Sequence, residues 1–162
     1  MLKKFFPLSI SLSRIRCIRR KTIKNGKVVE IMGAQLNSYL MSEDARSQAD
    51  FYLESLGGEI VSLKTFGEVP DTPEDMKEKV MHLSLKIAGN NILMLSDSFE
   101  QVVGNRSISL ALTYDNESEA REAYTKLGEG GENKYPIALQ PWGAYYGEVI
   151  DKFGVTWMIT KP

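Results

Sequence analysis

The period of the apolar positions changes from two to 3.6 and back, and it does so twice along the chain. A strand-like run over residues 37–44 precedes Ala45, Ala49, Tyr52, Leu53 and Leu56, which lie on one helical stripe that stops at Gly57 and Gly58. The order returns 72 residues further on, from Asn37 to Ser109. A second strand-like run over 109–116 precedes Ala120, Ala123, Tyr124 and Leu127, and Gly128 supplies the stop. Asn116 with Glu119 approaches a capping box, and Glu43 with Asp44 places negative charge at the first helix's positive end.

Three alternating runs follow each predicted helix, over 60–66, 80–88 and 91–96 in the first half and 132–140, 143–151 and 155–161 in the second. Gly89-Asn90-Asn91 is read as the tight turn between two of them. Within 80–88, alternation assigns Met81, Leu83, Leu85 and Ile87 to one face and Val80, His82, Ser84 and Lys86 to the other. The polar segment 67–78, with two prolines and several acids, is a solvated connection or a flap over a site. Each half is therefore βαβββ, and the predicted class is α+β. One half alone leaves a sheet face uncovered, so two halves are expected to combine around a shared concavity of ligand size.

Charge separates the first 31 residues from the rest. They carry nine Lys or Arg against the single acid Glu30, which leaves the remainder with nine more acids than bases. We divide the chain into a basic extension, 1–31, and a body, 32–162. Lys3 and Lys4 before an apolar stretch resemble a secretory signal, but Arg14, Arg16, Arg19 and Arg20 interrupt it and no small-residue cleavage site follows. The extension is expected to be unstructured, or to lie upstream of a true start at Met32. A transit peptide and a basic arm for RNA or lipid are the alternatives. An acidic body repels phosphates, so no nucleic-acid partner is expected of it. No run reaches the roughly 20 apolar residues of a membrane span. The single cysteine, Cys17, suits a reducing compartment, and a cytoplasmic location is expected.

Several ordered motifs resemble one family. They are Phe51-Tyr52 with Leu56-Gly57-Gly58, then Val80-Met81-His82 with Ile92 to Asp97, then Trp142-Gly143-Ala144-Tyr145-Tyr146-Gly147, and finally Asp151-Lys152-Phe153-Gly154 with Trp157. Together they resemble the PhnB-like branch of the glyoxalase/bleomycin-resistance (vicinal oxygen chelate) superfamily over about 32–162. The resemblance implies a glyoxalase/bleomycin-resistance-type fold with a central cleft between two βαβββ repeats. It also implies frequent homodimers, some of which exchange repeats between chains. Some relatives carry a demethylubiquinone methyltransferase label, but no glycine-rich cofactor-binding unit precedes a helix here.

Metal-dependent members of that superfamily hold a divalent cation with four side chains. The resemblance puts Asn37, Met94, Ser109 and Met158 at those positions. Two thioethers and two neutral oxygens are poor partners for such cations. Neither a metal nor a cofactor is expected, and metal-dependent lyase or dioxygenase activity is disfavoured. The expected ligand pocket comprises Asn37, Tyr39, His82, Met94, Ser109, Trp142, Tyr146 and Met158. His82 is either a general acid/base or a hydrogen-bonded structural histidine. Trp142, Tyr145 and Tyr146 either stack on a flat ligand or pack a corner. The function read from this is metal-free binding or sequestration of a small apolar or aromatic molecule. A divergent enzyme and a ligand-free homodimeric interaction protein are the alternatives.

Overall fold

The computed structural model describes residues 20–24, 27–31, 35–104 and 107–162. It divides into two compact units, Met1–Leu36 and Asn37–Pro162. In the first unit, β1 (Arg20–Lys24) and β2 (Lys27–Ile31) form an antiparallel hairpin with Arg20 opposite Ile31. The sequence reading did not anticipate this pairing. The expectations for residues 1–19 and for a start at Met32 lie outside the described residues.

The second unit has the expected duplication. Its first repeat is β3 (Ser38–Ser42), α1 (Ala45–Leu56), β4 (Gly58–Thr65), β5 (Val80–Ile87) and β6 (Asn91–Asp97). The second is β7 (Leu110–Thr113), α2 (Glu117–Leu127), β8 (Glu132–Leu139), β9 (Tyr145–Ile150) and β10 (Thr156–Lys161). The sheets have the orders β3-β6-β5-β4 and β7-β10-β9-β8. In each, the first and last strands of the repeat run parallel and the other pairs are antiparallel.

Local chemistry fixes the helix starts. Asp44 accepts from the Ser47 amide at 3.0 Å, and Asn116 accepts from the Ser118 amide at 2.7 Å. Asp97, at the end of β6, accepts from the Ala45 amide at 2.7 Å and the Val80 amide at 2.7 Å, which ties helix, strand and loop together. The stripe on α2 is buried as expected. On α1, Gln48, Phe51 and Ser55 are buried as well, while Leu53 and Leu56 are only partly so. That face is wider because α1 packs against both repeats. Tyr52 meets Trp157 edge-on at 5.3 Å, and Phe51 meets Phe153 at 5.7 Å.

One core therefore serves both repeats, and Asp151 sits within it. Its carboxylate accepts from the Tyr52 hydroxyl at 2.7 Å, Trp157 Nε1 at 2.8 Å, the Phe153 amide at 2.9 Å and the Val155 amide at 3.0 Å. Gln48 Nε2 donates to the Tyr52 oxygen at 2.8 Å. Burial, followed by the Asp151 charge, pushes the Tyr52 hydroxyl far above the ordinary tyrosine range, so it stays a donor.

Two details of the first sheet differ from simple alternation. The register pairs Lys64 with His82 but Thr65 with Val80, which bulges Met81 and turns Val80 into the core. The β5–β6 turn is 88–90, with Asn91 already paired to Ile87 and Ala88 at φ 43°. The segment 67–78 is closed rather than free. Phe66 and Gly67 amides donate to Lys79 and Lys77 carbonyls, and the Thr72 hydroxyl donates to the Phe66 carbonyl at 2.8 Å. This favours the solvated connection over the flap.

Each helix covers one face of its sheet. Leu83, Leu85, Leu93 and Leu95 lie beneath α1, and Val149, Trp157 and Ile159 beneath α2. The alternate residues form an open face on each sheet. There Tyr39 is 48% exposed, Met41 50% and Tyr135 53%, which leaves large apolar side chains in contact with solvent.

Candidate functional site

On the first open face, β3 and β6 place Tyr39 directly beside Met94. His82 stands on β5 with both ring nitrogens engaged. The Tyr39 hydroxyl lies 3.4 Å from Nδ1 and Ser84 Oγ lies 3.2 Å from Nε2. The Tyr39 and His82 rings are 5.8 Å apart. Burial, and then the Lys64 ammonium across the strand, hold the His82 pKa below the usual histidine value. This environment favours the neutral ring, which can accept a proton or a hydrogen bond. Asn37, half-buried, precedes β3 at the parity of Tyr39 and belongs to this face.

On the second open face, Met158 of β10 lies between Ala111 of β7 and Glu148 of β9. Ser109 precedes β7 at the parity of Ala111. The Tyr146 hydroxyl donates to Glu148 Oε2 at 3.0 Å, and Lys134 Nζ makes an ion pair with Glu148 Oε1. The Lys134 bond holds the Glu148 carboxyl below the usual range, against the opposing effect of burial.

The structure thus groups Asn37, Tyr39, His82 and Met94 on one face, and Ser109, Tyr146 and Met158 on the other. It does not gather Trp142, Tyr145 and Tyr146. Trp142 is 70% exposed in the turn before β9. Tyr145 alternates to the helix side beneath the Arg121 guanidinium at 5.3 Å, while Tyr146 takes the open face. A recess of about 580 Å³ runs between the Leu56 and Ala88–Asn91 end of the first repeat and Ala111–Asp115 of the second, and it includes none of the eight residues. The sequence reading overlooked Glu148 and Lys134. The available signal was an acid mid-strand, two residues from Tyr146 and so on its face.

A divalent metal does not fit these positions. Asn37, Met94, Ser109 and Met158 offer two thioethers and two neutral oxygens. Among the described residues, no group of three or more His, Cys, Asp or Glu side chains is placed to hold an ion.

Paired βαβββ repeats, each with one helix-covered and one open sheet face, define the glyoxalase/bleomycin-resistance fold of the vicinal oxygen chelate superfamily. The chain belongs to the PhnB-like family described as 3-demethylubiquinone-9 3-methyltransferase, which it matches over residues 34–160. It is 29% identical to protein YjdN of Escherichia coli K12, across 67% of this chain and 82% of that one. Among solved structures it is similar to protein PA1353 of Pseudomonas aeruginosa, with TM-score 0.69 and 33% identity over 79% of this chain and 97% of that one. It is also similar to a PhnB protein of Bacillus cereus, described as a 3-demethylubiquinone-9 3-methyltransferase, with TM-score 0.67 and 26% identity over 80% and 100% of the two chains. A glyoxalase/bleomycin resistance protein/dioxygenase family enzyme of Burkholderia phytofirmans has the same fold at 11% identity, with TM-score 0.55 over 77% of this chain and 95% of that one. Among the described residues, no helix is long and apolar enough to cross a membrane.

Proposed function

We propose that this chain binds a small apolar or aromatic molecule without a metal on its open sheet faces, as a cytoplasmic homodimer whose second copy roofs that ligand site. The observation that carries this reading is the half-exposed Tyr39 and Met41 on β3 and Tyr135 on β8, large apolar side chains on the sheet faces away from the helices. A monomer seldom leaves contiguous apolar surface uncovered, and a second copy supplies a matching face by symmetry. Met94 and Met158 supply adaptable, polarisable contacts where metal-dependent relatives carry ion donors. The acidic body gives no reason to invoke a nucleic-acid partner.

The test combines sedimentation velocity, metal analysis and a thermal-shift screen with aromatic metabolites and antibiotics. A dimer without stoichiometric metal, stabilised by some of the compounds, is expected. Ligand at a hundredfold excess over Kd adds about 2.7 kcal/mol. A monomer, or a tightly held stoichiometric ion, overturns the proposal. A dimer with no response to any compound favours an interaction protein instead. A second reading is a divergent enzyme, supported by the hydrogen-bonded run Tyr39–His82–Ser84. A measured turnover abolished by His82→Ala would favour it.

A further inference from the structure

The open face of the second sheet carries one ionic group that an apolar binding site does not need. Glu148 sits mid-strand on β9, opposite Met158 on one side and Tyr135 on the other. Its side chain is only 10% exposed, and two donors, Lys134 Nζ and the Tyr146 hydroxyl, already occupy it. Lys134 remains 40% exposed, with Nζ 5.6 Å from the Tyr135 ring centroid. An ammonium has three donors, and Glu148 takes one of them.

Stability alone does not require an ion pair here. Shielding a carboxylate within a sheet costs desolvation, and an apolar pair of similar volume is often at least as stable. What the arrangement does accomplish is to hold an ammonium at one place beside an exposed aromatic ring. The carboxylate lies underneath and is satisfied, so an arriving molecule meets the cation first. The first open face is similar in charge. Lys64, beside His82, has no ion pair among the described residues.

We propose that Lys134, braced by Glu148 and Tyr146, anchors the carboxylate of an aromatic carboxylic acid, with the ring of that ligand lying against Tyr135. This rests on the binding function proposed above and narrows its ligand class. A charge-assisted hydrogen bond to the carboxylate gives such a ligand preference over its neutral isostere.

The test is titration of the full chain with 2-naphthoate, 2-naphthamide and 2-naphthylmethylamine. Naphthoate is expected to bind roughly tenfold more tightly than the amide, as one such bond provides. Lys134→Met should remove that preference and leave the amide's affinity in place. The paired variant Lys134→Met with Glu148→Met leaves no unpaired buried carboxylate, so it remains informative if the single variant unfolds, and it should lose the preference equally. Equal affinity for naphthoate and naphthamide, or a preference that survives in the paired variant, overturns the anchor and leaves the binding function standing. Tighter binding of the amine overturns it too, because Glu148 would then be the recognising group. Failure of all three probes to bind counts against the binding function itself, and the anchor falls with it.

Discussion

His82 is the chain's only histidine, and its surroundings make its titration readable. The groups around it are Lys64 across the strand, the Tyr39 hydroxyl and Ser84. Burial and then Lys64 lower its folded-state pKa below the ordinary histidine value of 6.5, so the unfolded chain takes up the proton first. Its contribution to stability is complete above pH 6.5 and declines as the pH falls from there toward the lowered value. Urea midpoints measured between pH 7.5 and 5 should decline in the native protein, and the decline should be smaller in His82→Gln. Identical profiles for the two proteins would show that the folded environment of His82 does not disfavour its charge. The sequence marked this residue because it stands alone. It did not mark the Tyr39 hydroxyl as its partner, since 43 residues separate the two.

At the scale of the element, Gly147 shows how a helix is seated on its sheet. A Cβ at this position in β9 would lie 2.8 Å from Ile137 Cβ and 2.9 Å from Tyr124 Cδ2. Real Cβ atoms do not approach so closely, so α2 or β8 would have to move. Gly147→Ala is therefore expected to destabilise the fold by about 1–3 kcal/mol, as overpacking typically does. Chemical denaturation would measure it, and an unchanged midpoint would mean that the contact yields freely. The α2 stripe was legible because its buried residues are Ala120, Ala123, Tyr124 and Leu127, which a single 3.6-residue period describes. The α1 stripe was only partly legible because a second repeat adds another buried side. The bulge at Met81 carries no periodic signal and was missed, while the turn signalled by Gly89-Asn90-Asn91 begins one residue earlier, at Ala88.

At the scale of the molecule, the Tyr52–Asp151 hydrogen bond joins residues 99 apart and fastens one repeat to the other. Tyr52→Phe leaves a buried carboxylate without one of its four donors, which should cost about 1–3 kcal/mol. The body is expected to unfold in a single transition both before and after this change, because each helix needs the shared core. Two separated transitions by fluorescence and circular dichroism would show that the repeats fold independently.

The duplication, the order of strands and helices and the helix caps were contained in the sequence, because periodicity and capping depend on neighbours a few residues away, and the family was legible in the resemblance of its ordered motifs. The family resemblance named Asn37, Tyr39, His82 and Met94 as pocket residues, but that β3, β5 and β6 bring them to one sheet face is decided by strand pairing. Tertiary structure alone decided which sheet faces stay open and that Trp142 stands apart from Tyr146. It also decided that Asp151 gathers donors from both repeats, and that Lys134 reaches Glu148 across 14 residues of chain. Those outcomes depend on how closely chain segments distant in sequence pack together, and no local pattern of residues encodes that distance.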